Sequence, residues 1–435
     1  MVHPVPSCGA VGEWIARDAI PFSHVDPRSL NAAVDALVAS LGGAVEMLGL
    51  GEPLHGGEDF LLLRNRVFER LAEAHGYRSI AVESCFFRGR LVDEYVAGGG
   101  AASYDAVRDG GFSHGFGRYD ANRELVEWMR GWNADPARSE KVRFYGFDGP
   151  MEMTGAEGPR RMLRFVIDYL LSAGDAGAAE RWGRIDPLIG NDADWENPAA
   201  MMDPSKSIGL SPAATALRIE AEGLVTDLEM RRPGLSALTG RGRHAEALHC
   251  ASMARRLLAY HAEFARESDD RIARGLGIRD LMMADTLAYI ASRERGRGKT
   301  LVFAHNSHLK RGEARWRLGP HALAWWPAGS HAGATLGPRY AVIGSGLGVS
   351  ADNGVGAPEA GTLEALLTAA GAGALFIPTH GGKALPAAAA GALPVRSGSA
   401  RNPGYFPLTP QSLADFDWLA ILPSTGYARG APPLP

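Results

Sequence analysis

The fold class of this chain is decided by one stretch, Ala44-Val-Glu-Met-Leu-Gly-Leu-Gly-Glu-Pro-Leu-His-Gly-Gly-Glu58. It opens with an apolar run, and residues 60–74 after it have the apolar periodicity of a helix. This pattern predicts a buried strand whose carboxyl end delivers Glu52, His55 and Glu58 into the loop that opens a helix. Ligands and reactive groups collect at that position in parallel α/β sheets.

Three further apolar segments also end in titratable residues. Segment 77–83 ends at Glu83, segment 141–147 is followed by Asp148, and segment 299–304 is followed by two histidines. The first two predicted strands are separated by roughly 30 residues, the spacing of parallel strands joined by a crossover. Because the carboxyl ends of parallel strands meet at one edge of the sheet, we expect these side chains to form one site.

The whole chain is predicted to be a three-layer α/β/α fold with a mostly parallel sheet. Further strands are expected over 340–344, 373–378 and 416–422, while helical patterns replace strands between about 152 and 278. We expect residues 152–278 to form a helical insertion that caps the site. The two halves of the α/β core are then 1–151 and 279–435, and 435 residues suffice for one large domain with such an insertion.

Composition excludes several classes of protein. A net charge of −4, from 45 basic and 49 acidic residues, argues against a nucleic-acid partner. No apolar run of about 18 residues is present, so no membrane partner is expected. The three cysteines have no metal-binding spacing, and the amino terminus lacks a signal-peptide pattern, so a reduced, cytoplasmic protein is expected. Whether the chain forms a homodimer stays open.

His55 is the first candidate for chemistry. A carboxylate beside an imidazole stabilises the imidazolium and orients the ring, which is what a general base acting on water requires. Glu52 is close enough in sequence to do this, and Glu83, which closes an apolar strand, must be paired or have a raised pKa. Glu83 is expected either to orient His55 or to protonate a leaving group. The alternatives are a surface-loop histidine and a Glu83 paired with an arginine.

Two more sequence features bear on the site. Arg64 shares a helix face with Phe60 and Phe68 that looks buried, so we expect it to pair with Glu52 or Glu83, or to face a substrate oxygen. His305 and His308 flank Asn306, a spacing that suits metal binding, oxyanion stabilisation or proton transfer. We favour one catalytic and one structural histidine. Metal is the minority interpretation because no His-Glu-x-x-His helix is present.

In combination, these residues resemble the erythromycin esterase family. The resemblance rests on elements that occur in order along nearly the whole chain: Glu52-x-x-His55-Gly56 with Glu58 and Arg64, Ala81-Val-Glu83, Phe144-Tyr-Gly-x-Asp148, Arg279-Asp-x-x-Met, and Ala304-His-Asn-x-His308. It implies the three-layer fold with a helical insertion, and metal-independent, cofactor-free hydrolysis of a macrolide lactone or another polyketide-like ester.

By that resemblance His55 would activate water, Glu83 and Glu52 would orient or assist it, and His305 would contact the tetrahedral intermediate or the leaving group. The expected supporting or substrate-binding residues are Arg64, Glu58, His114, Asp148, Asn306 and His308.

Two other functions stay open for the same residues. One is an acid–base isomerase, cyclase or eliminating enzyme of natural-product biosynthesis, and the other is a metal-dependent hydrolase. A third, non-enzymatic hypothesis is a ligand-binding protein with an inactive site. The sequence does not decide between a role in antibiotic resistance and one in secondary metabolism.

Overall fold

The computed structural model describes residues 6–23, 25–152, 155–369 and 373–432. Within these ranges the strands are β1 (Ile20–Phe22), β2 (Met47–Glu52), β3 (Tyr77–Cys85), β4 (Arg143–Asp148), β5 (Met151–Glu152), β6 (Gly155–Ala156), β7 (Lys299–His305), β8 (Ala314–Leu318), β9 (His321–Trp325), β10 (Tyr340–Val349), β11 (Ala374–Pro378) and β12 (Trp418–Ser424).

The α-helices in the same ranges are α1 (Pro6–Asp18), α2 (Pro27–Leu41), α3 (Glu58–Ala74), α4 (Phe86–Val96), α5 (Tyr104–Gly111), α6 (Asp120–Ala134), α7 (Arg160–Ser172), α8 (Gly177–Ile189), α9 (Asp192–Trp195), α10 (Pro212–Met230), α11 (Arg232–Thr239), α12 (Arg241–Phe264), α13 (Arg271–Glu294), α14 (Asn306–Leu309), α15 (Ala328–Leu336), α16 (Leu363–Ala369), α17 (Ala387–Gly391) and α18 (Ser412–Asp415). No helix of the described residues combines the length and the apolar character needed to cross a bilayer.

The central sheet has eight strands in the order β1-β11-β12-β10-β2-β7-β3-β4. The six strands from β12 to β4 run parallel to one another, whereas β11 pairs antiparallel with both β1 and β12. The predicted α/β class with a mostly parallel sheet is therefore confirmed. Its strands are apolar on both faces, as parallel strands must be when helices cover both sides.

The two faces of the sheet belong to different hydrophobic cores. Leu301 on β7 packs in the core that contains α2, α3 and α6, whereas its neighbour Val302 packs in the core that contains α10, α12 and α13. This alternation follows from the two-residue period of a strand. Helix α2 is bounded by local signals of its own, because Asp26 caps its first turn and Gly42 ends it with a positive φ of 75°.

Strands β2 and β3 are not neighbours, although their sequence spacing suits a crossover unit. β7 lies between them, with Glu52 opposite His305 on one side and Val82 opposite Phe303 on the other. The late strand therefore places a histidine between the two early glutamates. Gly51 permits this arrangement, since a Cβ atom there would lie 2.2 Å from Oδ1 of Asn306, which follows β7.

The segment between β6 and β7 is helical, as the periodicity predicts, and α7, α10, α12 and α13 pack on one another. The predicted boundary at 278 falls inside α13, which runs without interruption from Arg271 to Glu294. That helix packs on β4 and β7, so it links the helical segment to the sheet. Arg279 and Asp280, the first two residues after the boundary, lie together on its third turn.

Candidate active site

His55 lies between two carboxylates at the carboxyl edge of the sheet. Its Nδ1 atom is 2.8 Å from Oε1 of Glu52, and its Nε2 atom is 3.7 Å from Oε1 of Glu83. The imidazole is 29% exposed, while both glutamates are buried. Burial disfavours the charged imidazole, but the carboxylates of Glu83 and Glu52 outweigh it and raise the pKa of His55 above its ordinary value.

Glu83 is held as a carboxylate by donors on both of its oxygens. Oε1 accepts a hydrogen bond from Arg279 at 2.9 Å and lies 3.3 Å from Nε2 of His308, while Oε2 accepts the backbone N–H of His305 at 2.8 Å. Burial opposes the charge, but these neighbours lower the pKa of Glu83 well below its usual range. A carboxylate this stable suits the orienting role and argues against Glu83 as a proton donor.

His308 is buried between two acids. Nδ1 lies 2.8 Å from Oδ1 of Asp280, and Nε2 faces Glu83. Burial lowers the pKa of the imidazole, but the two carboxylates more than offset it and raise the pKa to about 10. His308 is therefore an imidazolium at neutral pH.

The protonated His308 is expected to make folding stability fall at alkaline pH. Its pKa is about 10 in the folded protein, against about 6.5 for a histidine in an unfolded chain. The resulting stabilisation is fully present below the unfolded pKa and is lost as the pH rises towards the folded pKa. Urea titrations across this window should show a steeper loss of unfolding free energy for the wild type than for His308→Gln. Equal slopes would contradict a charged His308.

His305 is neutral and has both ring nitrogens occupied. Nε2 donates to the backbone carbonyl of Gly404 at 2.8 Å, and Nδ1 accepts from the hydroxyl of Ser307 at 2.6 Å. Burial and the charge on His55 lower the pKa of His305 to about 3. Its ring centroid lies 5.2 Å from that of His55. His305 thus presents a neutral N–H beside His55, directed at a carbonyl oxygen of the chain itself.

Asp148 and His114 form a second buried pair beside the first. Oδ2 of Asp148 lies 3.2 Å from Nε2 of His114 and accepts from Arg279 at 2.7 Å. Burial opposes the charge, but Arg279 and His114 lower the pKa of Asp148 to about 2. Arg279 therefore joins Asp148 to Glu83. His114 adopts a positive φ of 60°, and its backbone N–H donates to Glu152 at 2.7 Å.

Two of the residues predicted to bind substrate or support the site make contacts with other parts of the chain. Asn306 exchanges hydrogen bonds with the backbone of Ser345, donating to its carbonyl at 2.8 Å and accepting its N–H at 3.0 Å, which ties β7 to β10. Glu58 accepts from the side chain and the backbone N–H of Arg429, at 2.6 and 3.0 Å, and so anchors the carboxyl-terminal segment to α3.

The predicted ion pair between Arg64 and Glu52 or Glu83 does not form. Arg64 is almost fully buried, but it donates to Oδ1 of Asn65 and, more weakly, to the carbonyl of Ala121. The guanidinium also lies 4.9 Å from the centre of the Phe303 ring. Amide oxygens and an aromatic face thus satisfy a cation that sequence reasoning assigned to a carboxylate.

Sequence reasoning did not assign Arg279 and Asp280 to the site. They are adjacent on α13, but their side chains bind different partners. Arg279 binds Glu83 and Asp148, while Asp280 binds His308. Asp280 also accepts from Nε1 of Trp325 and from the backbone N–H of Ala328. The signal that could have found them was present, because an Arg-Asp pair that directly precedes the apolar run Leu281-Met-Met283 needs partners when it is buried.

In the part of the chain that the structure describes, no three or more His, Cys, Asp or Glu side chains are arranged to hold a metal ion. The acids and histidines at the carboxyl edge are instead bonded to one another and to Arg279.

Comparison with known proteins decides the family. The model of the erythromycin esterase family matches residues 72–425, which is most of the chain. The chain belongs to the erythromycin esterase family. The match includes Glu83, Asp148 and both histidines after β7, whereas Glu52 and His55 lie ahead of it. The fold brings those two into the site through the pairing of β2 with β7.

One curated relative of this erythromycin esterase family member aligns with part of the chain. Erythromycin esterase type II of Escherichia coli is 28% identical over 138 residues, which are 32% of this chain and 31% of that protein. The chain thus aligns with about a third of the length of this curated relative.

Three solved structures share the fold. A protein from Bacillus cereus has a TM-score of 0.74 at 18% identity, and a succinoglycan biosynthesis protein has 0.70 at 18%; each comparison covers 99% of this chain and 100% of the other. A mutant of the erythromycin esterase EreC in its open conformation has a TM-score of 0.64 at 17% identity, covering 91% of this chain and 94% of that one.

Proposed function

We propose that this protein hydrolyses the ester bond of a macrolide-type lactone, with His55 as general base and without a metal. The observation that carries the proposal is the placement of a carboxylate at each ring nitrogen of His55. A histidine oriented on one side and stabilised as a cation on the other has what proton abstraction from water requires.

The hydrogen bond to Glu52 assigns the ring proton to Nδ1 and leaves Nε2 as the base. Nε2 and Oε1 of Glu83 are 3.7 Å apart, beyond a direct hydrogen bond, so a water about 2.8 Å from each can bind to both. The water oxygen attacks the ester carbon while its proton passes to Nε2. The resulting imidazolium lies between Glu52 and Glu83.

The later steps use His305 and return the proton. An N–H such as that on Nε2 of His305 stabilises the oxyanion of a tetrahedral intermediate, provided that the Gly404 carbonyl gives up its hydrogen bond. Collapse then breaks the bond between the carbonyl carbon and the ring oxygen. The proton on Nε2 of His55 moves to the departing alkoxide, and the product is a ring-opened hydroxy acid.

The charged residues around His55 predict the pH dependence of this reaction. Because the base must be neutral and its pKa is raised, kcat/KM is expected to fall as the pH drops through a value above the ordinary 6.5 of histidine. Glu83→Gln removes a carboxylate that raises this pKa, so the acid limb of the profile should move to lower pH while the maximal rate falls. Glu46→Gln, which alters an exposed pair with Arg339, should leave the limb in place. A limb that does not move in Glu83→Gln would contradict the proposed pairing.

The reaction is tested by mass spectrometry of erythromycin incubated with chelator-treated protein in ¹⁸O-labelled water. The expected product is heavier than the substrate by one water and carries a single ¹⁸O atom. A product of unchanged mass would replace hydrolysis by rearrangement, and activity that appears only after Mn²⁺ or Zn²⁺ is added would replace the metal-free mechanism. The absence of any product would reject the macrolide as substrate.

A further inference from the structure

A small chamber that Glu52 helps to line lies among buried side chains. It has a volume of about 20 Å³, which is enough for one water molecule. Its walls come from β2, β3, β7, α3, α6 and the segment after α5, and its polar lining residues are Glu52, Arg64, Glu83, Tyr119 and Asn122. A chamber lined by this many polar groups differs from the dry apolar cavities of protein cores.

Two buried acceptor atoms of the lining residues accept no hydrogen bond from the residues that the structure describes. They are Oε2 of Glu52 and Oδ1 of Asn122. The orientation of the Asn122 amide is settled, because its Nδ2 donates to the carbonyl of Phe116 at 2.8 Å. Leaving such acceptors unpaired in the core is costly. A single partner that serves both atoms has to donate twice, as water does and as an anion does not.

Arg64 supplies the remaining contact. Its hydrogen bonds to Asn65 and Ala121 use Nε and Nη2, so Nη1 stays outside them. A water in the chamber can donate its two protons to Glu52 and Asn122, while its oxygen accepts a hydrogen bond from a guanidinium N–H of Arg64. Three hydrogen bonds are typical of a buried water.

We propose that the chamber binds one structural water that donates to Glu52 and Asn122 and accepts from Arg64, and that Arg64 acts through this water as a positioning residue for His55. The water site stands on the chamber and its unpaired acceptors, whereas its role in catalysis rests on the proposed function.

The role follows from the two protonation states of Glu52. As a carboxylate, Glu52 accepts the Nδ1 proton of His55 and leaves Nε2 as the base. Burial raises the pKa of Glu52, and a protonated Glu52 would instead donate to Nδ1 and move the ring proton to Nε2. A hydrogen-bond donor to Oε2 and the positive charge on Arg64 both favour the carboxylate form of Glu52. They therefore favour the Nδ1–H tautomer of His55, in which Nε2 can accept a proton from water.

Several charged or titratable groups face this pair from the elements around it. They are Glu83 on β3, Arg64 on α3, Tyr119 at the start of α6, and His305 and His308 at the end of β7. Of these, Arg64 and His308 are cations, and His308 is bonded to Asp280 and faces Glu83 on the far side of His55. Arg64 is therefore the cation whose removal should act on Glu52.

The test compares two variants that disturb the water in different ways. Val82→Ile adds one methyl group to a residue that lines the chamber and displaces the water without touching Arg64. Arg64→Gln removes the cation. Val67→Ile is the matched control, because Val67 is buried in the same core on α3 but does not line the chamber. Thermal unfolding confirms that each variant is folded.

The readout is ¹⁵N NMR of His55, which needs no substrate; its signals are assigned by their loss in His55→Ala. We expect Val82→Ile and Arg64→Gln to raise the titration midpoint of the His55–Glu52 pair by about one pH unit. Below that midpoint we expect them to show the Nε2–H tautomer. Val67→Ile should match the wild type.

Unchanged midpoints in both variants would overturn the proposal, as would an equal change in Val67→Ile. The acid limb of kcat/KM should move with the NMR midpoint. Shifted NMR midpoints in a protein that hydrolyses no lactone would uphold the water site and reject the esterase function, so the two failures are distinguishable.

Discussion

His55→Ala is expected to lower kcat/KM for lactone hydrolysis by roughly 10³- to 10⁴-fold, the upper part of the range for a general base. The loss should appear in kcat, because the imidazole takes a proton only as the water attacks. The fold should persist, since the ring is partly exposed and Glu52, whose pKa is already raised, can take up a proton when its partner is removed.

The matched control is His75→Ala. His75 also pairs with a carboxylate, Asp35, at 2.7 Å, but it follows α3 at the opposite edge of the sheet. It should keep the wild-type rate. Steady-state kinetics and thermal unfolding of both variants make the comparison, and a His55→Ala enzyme that turns over at nearly the wild-type rate would rule out His55 as the base.

Arg279→Met should produce the largest loss of stability among single substitutions in the site, about 3–5 kcal/mol of unfolding free energy. Arg279 bonds to Glu83 and to Asp148, and both carboxylates are buried. Methionine fills much of the volume but leaves two anions in the core with fewer donors. Urea unfolding measures the loss, and Arg66→Met, which breaks an exposed pair with Glu69, should cost at most about 1 kcal/mol.

The pH dependence of the Arg279→Met defect separates this electrostatic cause from poor packing. Removal of the cation raises the pKa values of Glu83 and Asp148, so these carboxylates become protonated at a higher pH in the variant than in the wild type. Their protonation removes the unpaired charges that destabilise the variant. The stability difference between the two proteins should therefore shrink as the pH falls. A difference that is constant with pH would assign the loss to packing.

The contacts of Glu83 explain why it tolerates burial near other acids. Each of its oxygens has a donor, and two cations lie next to it, Arg279 and the imidazolium of His308. Acids and bases alternate from His114 through Asp148, Arg279 and Glu83 to His308 and Asp280. A buried network of this kind is stable only when every member is paired, so we expect its members to respond together to substitution.

The positions of the strands and the groups at their ends could be predicted because both depend on local sequence. The apolar run before Glu52 and the one that ends at Glu83 are long enough to specify buried strands. β3 begins at the predicted Tyr77, whereas β2 begins at Met47, within the apolar run that starts at Ala44, and continues to Glu52. Helix α2 has its own capping residues. Such features need no knowledge of the rest of the chain.

The pairing of Arg64 and the boundary at 278 could not be predicted in the same way. A buried arginine requires partners, but periodicity does not say whether they are carboxylates, amide oxygens or an aromatic ring. Similarly, the helical pattern around 278 does not show that α13 continues through the boundary and carries Arg279 and Asp280 to the sheet. Both outcomes depend on what packs against the helix.

The sequence by itself determined that this is an α/β protein with acids and histidines at the carboxyl ends of its parallel strands, because hydrophobic periodicity and strand-end chemistry are local properties. Only the tertiary structure decided that β7 inserts between β2 and β3, so that His305 lies between Glu52 and Glu83, and that Gly404 meets His305. Strand order and such contacts join residues far apart in the chain, and they are set by which surfaces pack together rather than by any one segment.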